Sequence, residues 1–135
     1  MTLEDIYFEC EQKGITVDYF KTDKAKAFSF PYENGIVVLD KSKIETTAEE
    51  TVLLAHKEVH IDLGAFYLFT TPLTVKGKME QKVKKHTIKK LIPLDELKEA
   101  VHNGITEPWE LAEYFNVTNK FMVEAMEFYR DNLLM

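Results

Sequence analysis

The chain is organised around one short stretch, Leu53-Leu54-Ala55-His56-Lys57-Glu58-Val59-His60. On a helix, two histidines four residues apart project from the same face, one turn from each other. Both imidazoles can then bind one tetrahedral zinc ion at about 2.0–2.1 Å from each ring nitrogen. Zinc hydrolases with this spacing carry a glutamate directly after the first histidine, where it serves as general base. Lys57 stands at that position, so the metal-binding half of the motif is present without its base.

Composition places the chain among ordinary globular proteins. It has 135 residues, 45% of them hydrophobic, which is enough for one domain with a proper core. The net charge of −6 disfavours broad, phosphate-driven binding to nucleic acid. No apolar run reaches the roughly 18 residues of a membrane span, and the N-terminus lacks a secretory pattern. A single cysteine, Cys10, is read as a small buried thiol. We therefore expect a cytoplasmic protein with no membrane partner.

The first third of the sequence predicts a helix followed by a small sheet. Thr2 and Asp5 match an N-terminal cap, and Gly14 supplies the stop. Residues 15–20 alternate like a half-buried strand, and two further β-rich runs flank Asn34-Gly35, a strong hairpin signal. We expect a three-stranded, antiparallel-type sheet.

The rest of the sequence predicts helices. Thr47-Ala48-Glu49-Glu50 matches a capping box, and the strongly apolar helix that it begins ends at Gly64. Residues 65–73 read as a loop, and further helices are expected at about 78–91, 94–101, 109–115 and 119–132. Strands early and helices later indicate an α+β fold in one domain, 1–135. Within it, 1–45 would form the first helix and sheet, 46–92 the metal-site helices, and 93–135 the C-terminal helices.

A zinc site needs a third protein ligand besides the two histidines. Glu80 is the best candidate, because a carboxylate on the next helix can reach back to the pair across a helix–helix contact. The alternative is a purely structural histidine pair, since this spacing also occurs without metal. Burying two imidazoles without partners is expensive, however, and a metal would remove that cost.

Several stretches resemble the ImmA/IrrE family of zinc metallopeptidases from phages and mobile elements. The resemblance starts at Leu54-Ala55-His56 and continues through residues 60–67, and residues 78–85, 88–93 and 109–118 are similar in the same order. It implies a minimal zincin-like fold with a short sheet, a metal helix and a second helix that brings the third ligand. It further implies zinc bound by His56, His60 and Glu80, and action on a transcriptional repressor as antirepressor.

The sequence departs from the family at Lys57. The family has a glutamate there, which takes a proton from the attacking water and returns it to the leaving amine. A lysine ammonium cannot do this, and its charge would repel the metal. Glu58 is turned about 200° around the helix from His56 and is read as a solvated carboxylate.

Two explanations of this departure remain. The protein is a degenerate relative that binds its partner without cleaving it, or a rearrangement brings another carboxylate, such as Asp62, to the water. The first predicts weak or absent peptidase activity and a non-catalytic antirepressor or regulator that uses the old substrate cleft. We favour it.

Three other features have two interpretations each. Tyr67 packs in the core or a loop, or it lines the substrate cleft and donates to a bound carbonyl. The lysine-rich stretch 76–90 is a solvated face, or it docks an acidic protein or DNA. Residues 111–118 resemble a helix-turn-helix core, but acidic surroundings make a plain helical hairpin the better interpretation and a DNA-binding regulator the weakest one. The C-terminal aromatic residues are expected in the core: Trp109, Phe115, Phe121, Phe128 and Tyr129.

Overall fold

The computed structural model describes residues 1–66 and 70–133. Its helices are α1 (Leu3–Gln12), α2 (Thr47–Leu63), α3 (Leu73–Leu91), α4 (Leu94–His102), α5 (Pro108–Phe115) and α6 (Asn119–Leu133). Its strands are β1 (Thr16–Tyr19), β2 (Ala27–Phe30) and β3 (Ile36–Leu39), and a 3₁₀ turn at Lys41–Lys43 leads towards α2. Strands early and helices afterwards confirm the predicted α+β class.

The three strands form a mixed sheet in the order β1-β3-β2. β2 and β3 form the predicted antiparallel hairpin, with Phe30 opposite Ile36 and the turn made by Gly35 at a φ of 114°. β1 pairs parallel to β3, with Thr16 opposite Ile36, so the prediction of an antiparallel-type sheet is wrong. β3 is the most apolar strand and takes the central position, which separates β1 from β2. Alternation along a strand indicates its buried face but not its neighbours.

The capping residue of α2 lies one position before Thr47, the first residue of the predicted capping box. Thr46, in extended conformation, is the N-cap, and its hydroxyl accepts from the Glu49 backbone N–H at 3.0 Å. The Glu49 carboxylate accepts in turn from the Glu45 backbone N–H at 2.9 Å. The far end of α2 agrees with the sequence, because Gly64 adopts the left-handed conformation and closes the helix.

α3 begins at Leu73, directly after Pro72, rather than near residue 78. Gly77 therefore lies inside this helix, where it was expected to precede it. An interior glycine costs about 1 kcal/mol relative to alanine, and tertiary packing of α3 against α2 overrides that preference. As a result, Glu80 lies two turns inside α3 rather than at its start.

α2 is the central element of the fold, because it contacts α1, β2, β3 and α3. Its inner residues Leu54 and Ala55 are fully buried in the main core. Cys10 is buried in the same core, as predicted, and burial raises the pKa of its thiol to about 12. No helix in the described ranges combines the length and apolar character that crossing a membrane requires.

The C-terminal helices α5 and α6 pack on each other as a hairpin. Between them Asn116 adopts the left-handed conformation, and its side-chain amide donates to the Thr51 hydroxyl at 3.1 Å. Phe115, Phe121 and Tyr129 are buried as expected. Trp109 is 55% exposed, so its assignment to the core is wrong. The inward face of α5 is formed by Leu111, Ala112 and Phe115, and Trp109 falls outside that face.

Candidate metal centre

The two histidines of α2 lie side by side, as their spacing predicts. Their ring centroids are 4.9 Å apart. His60 is buried, with 5% of its surface exposed, and His56 is partly exposed. The pair faces α3, the helix against which this side of α2 packs.

Glu80 of α3 completes the cluster. Its Oε1 lies 3.2 Å from Nε2 of His60, and its Oε2 lies 3.4 Å from Nε2 of His56. Two ligands bound to one tetrahedral zinc ion lie about 3.3–3.4 Å from each other, given bonds of about 2.0–2.1 Å. Among the residues that the structure describes, these three form the one group whose ligand atoms are close enough to share a metal ion.

The surroundings of the two imidazoles fit a metal. Nδ1 of His60 lies 2.8 Å from the carbonyl oxygen of Ala65, so a proton on Nδ1 is donated there and the lone pair of Nε2 faces Glu80. A backbone carbonyl in this role commonly orients histidine ligands. Nε2 of His56 is buried without a hydrogen-bond partner, since the 3.4 Å contact with Glu80 lacks hydrogen-bond geometry. Such an orphaned nitrogen is costly unless a ligand engages it.

Electrostatics keep His56 in the neutral form that binds metals. Burial lowers the pKa of its imidazole to about 4, and the positive charge of Lys57 and the proximity of His60 contribute in the same direction. Glu80 opposes them. A histidine must be unprotonated to act as a ligand, so at neutral pH this side chain needs no proton release.

Lys57 lies next to the centre and is half-buried. Burial lowers the pKa of its ammonium group, while the negative charge of Glu80 acts in the opposite direction. The side chain makes no ion pair with any residue in the described parts of the chain. The position that carries the base in the resembling family therefore holds a partly desolvated amine.

Glu58 is not the solvated carboxylate that the sequence suggested. It is 0% exposed and lies between two lysines from other helices. Lys13, just after α1, donates a hydrogen bond to Oε2 of Glu58 at 3.0 Å. Nζ of Lys90 on α3 lies 3.0 Å from Oε1 of Glu58, but the geometry is not that of a hydrogen bond. Burial raises the pKa of Glu58, and both lysines counteract that shift. Lys90 also pairs with Glu9.

Asp62 belongs to the same ion-pair network. Its carboxylate accepts from Lys13 at 2.7 Å, on the side of α2 that packs against α1. This contact holds Asp62 away from the histidine pair and gives no support to its proposed role as a replacement base. The glutamate and aspartate that follow His56 on α2 are thus both engaged by Lys13.

Sequence reasoning missed this network, although a signal for Glu58 was present. Glu58 lies four residues after Leu54 and seven after Thr51, both fully buried, so it falls on the buried stripe of α2. An acidic residue on such a stripe requires a cationic partner. The sequence offers many lysines, and spacing alone does not indicate that Lys13 and Lys90 are the two that reach it.

The remaining candidate residues have mixed outcomes. Tyr67 lies outside the described residues, so its role in a substrate cleft stays a prediction. His86 and His102 are exposed on α3 and α4 and take no part in the cluster. In the lysine-rich stretch, Lys90 is part of the buried network and Lys84 pairs with Glu124 at 2.8 Å, so this stretch is not uniformly a solvated face.

Comparisons with protein-family models, with curated proteins and with solved structures found no match to this chain.

Proposed function

We propose that this chain is a zinc-binding, zincin-like domain of the ImmA/IrrE type, with zinc held by His56, His60 and Glu80. One observation carries the proposal: two imidazole Nε2 atoms and a carboxylate from a second helix converge at 3.2 and 3.4 Å. A bound zinc ion would leave one position open and supply a Lewis acid there. Two nitrogens and one carboxylate oxygen are a donor set typical of zinc.

The side chains around the centre support binding better than hydrolysis. Lys57 stands where a general base is needed, and an ammonium group accepts no proton. The nearest carboxylates on α2, those of Glu58 and Asp62, are held by Lys13 on another side of the helix. Glu80 is a ligand in this assignment and is committed to the metal. We therefore propose that peptidase activity is weak or absent.

The function that fits such a domain is recognition of a protein. The resemblance to phage and mobile-element metallopeptidases supports a transcriptional repressor as the partner, bound through the old substrate cleft and relieved of its silencing activity by binding. The alternative within the same proposal is residual, slow cleavage of that partner, which a comparison of the unaltered chain with Lys57→Glu tests.

Metal analysis of the purified protein tests the ligand assignment. We expect about one equivalent of zinc, and loss of that zinc in His60→Ala and Glu80→Gln. The matched control is His86→Ala, because His86 is an exposed histidine on the same helix as Glu80 and outside the cluster. Less than a tenth of an equivalent in the unaltered protein, with no stabilisation by added zinc, would refute the assignment.

A further inference from the structure

His56, His60 and Glu80 lie in the groove between α2 and α3. This groove continues past His56 into a small cavity. On α2, Val52, His56 and His60 follow one another at intervals of four residues and share one face. On α3, Glu80 and Lys84 share a face in the same way. Because His60 and His56 both meet Glu80, Val52 and Lys84 lie one turn further along the same groove. A cavity of about 250 Å³ opens there, with His56 in its wall.

The start of α6 closes this cavity on its third side. The cavity is smaller than the pockets of about 300–1,000 Å³ that hold drug-sized ligands, so it suits one side chain rather than a whole small molecule. It is lined by residues of α2, α3 and the start of α6: Val52, His56, Lys84, Thr87, Thr118, Lys120, Phe121 and Glu124.

The cavity is apolar inside and carries surplus positive charge at its rim. Val52 and Phe121 supply the apolar wall, and Phe121 is almost fully buried. The Thr87 hydroxyl already donates to the Val83 carbonyl at 2.8 Å. At the rim, Lys84 is neutralised by Glu124 at 2.8 Å.

Lys120 is the uncompensated charge. It is exposed, and its ammonium group has no acidic partner anywhere in the described ranges 1–66 and 70–133. A local excess of positive charge in a chain whose net charge is −6 favours an acidic group on whatever enters the cavity.

We propose that this cavity is a recognition subsite for a peptide segment that carries an apolar side chain next to an acidic one. The apolar side chain fills the space between Val52 and Phe121, and the acidic side chain pairs with Lys120. This rests on the proposed function, because it assigns the cavity to a protein segment lying in the groove that contains the metal centre. It adds what that centre alone leaves open, namely which partner sequence is selected.

The test is a titration followed by amide NMR signals of the purified, zinc-supplemented protein. The probe is the blocked tetrapeptide acetyl-Gly-Leu-Glu-Gly-amide, and binding should shift the amide signals of Val52 and Phe121. Replacing leucine by serine in the probe should weaken binding about tenfold or more, since a buried leucine side chain is lost. Replacing glutamate by lysine should weaken it about two- to fivefold, as for an exposed ion pair.

Variants of the protein make the assignment specific. Val52→Trp fills the cavity and should abolish the shifts at Phe121. Lys120→Glu should reverse the preference of the protein from the glutamate probe to the lysine probe. Lys82→Glu is the matched control, because Lys82 is an exposed lysine of α3 that does not line the cavity. It should leave both preferences unchanged.

The outcomes separate this inference from the zinc assignment. If the protein takes up less than a tenth of an equivalent of zinc but still binds the probe in a way that needs Val52 and Lys120, the metal centre is refuted and the subsite is supported. Zinc bound at one equivalent, with no shift at Phe121 or with shifts that ignore Lys120→Glu, would overturn the subsite and leave the metal centre intact. If Val52→Trp does not fold, the probe series and the Lys120→Glu reversal decide the question.

Discussion

The two faces of α2 put ionisable groups in opposite situations. On the face turned to Glu80, His56 has a buried ring nitrogen without a hydrogen bond. On the face turned to α1, Oε1 of the buried Glu58 likewise lacks a hydrogen bond, but two lysine ammonium groups lie 3.0 Å from the carboxylate oxygens and balance its charge. A buried polar group whose partners are all protein groups holds the fold together, whereas one that lacks them invites a ligand. We call the face of α2 that carries His56 and His60 its functional face, and the face that carries Glu58 and Asp62 its structural face.

Lys57 lies between the two faces of α2. Of the substitutions considered, Lys57→Glu should have the largest effect, and that effect is on peptidase activity. It places a carboxylate where the resembling family carries its general base. We expect cleavage of a fluorescein-labelled unfolded protein to rise about 100- to 10,000-fold, the usual contribution of general acid–base catalysis. The measurement is the initial rate at equal zinc content.

The control for this prediction is Lys57→Gln, which removes the positive charge without supplying a base. If Lys57→Gln matches Lys57→Glu, the gain comes from the lost charge and not from proton transfer. If the unaltered chain already cleaves as fast as Lys57→Glu, the proposal of weak activity is wrong.

Glu58→Ala should be the most destabilising change on the structural face. Removing one partner of a buried ion pair leaves buried charge uncompensated, which costs about 3–5 kcal/mol. Lys90 is mostly buried and, among the described residues, keeps one acidic partner, Glu9, so the loss of Glu58 affects it more than the partly exposed Lys13. Urea unfolding monitored by circular dichroism gives the free energy of unfolding.

A triple variant, Lys13→Met/Glu58→Met/Lys90→Met, sharpens the same measurement. Replacing a buried carboxylate together with its cationic partners by apolar side chains is often neutral. The two carboxylates that lose a lysine, Glu9 and Asp62, are 30% and 35% exposed and can be hydrated, so this variant should be more stable than Glu58→Ala. A loss below about 1 kcal/mol in Glu58→Ala would show that the network is solvated like an ordinary surface pair.

The features of α2 that the sequence predicts correctly are those that local helical geometry determines. The meeting of His56 and His60 follows from helical spacing alone, and Glu80 is the best candidate for the third ligand because a carboxylate on the next helix can reach back to the pair. The Glu58 network depends on where Lys13 and Lys90 arrive from two other helices, which no local pattern contains. The same limit explains the parallel pairing of β1 with β3, since a strand pattern does not specify its neighbour.

Zinc binding at the functional face should raise the free energy of unfolding of the protein by less than Glu58→Ala lowers it. A ligand at 100 times its dissociation constant stabilises the native state by about 2.7 kcal/mol, and we expect this increase in unfolding free energy on addition of zinc. In Glu80→Gln the increase should disappear. Glu58→Ala, although less stable, should retain it, because its carboxylate lies on the other face. Loss of the zinc response in both variants would mean that the faces are not independent.

The smallest effect is expected for Asp62→Asn, and it isolates burial as the variable. Asp62 and Glu58 share Lys13 as partner, at 2.7 and 3.0 Å, but the Asp62 side chain is 35% exposed and that of Glu58 is 0% exposed. Water can replace the contact to Asp62, so its loss should cost only about 0.2–1 kcal/mol in the same urea experiment. If Asp62→Asn costs as much as Glu58→Ala, the strength of this network comes from Lys13 itself rather than from the desolvation of Glu58. A small cost for Asp62→Asn beside a large one for Glu58→Ala would instead attribute the stability of the structural face to its buried carboxylate.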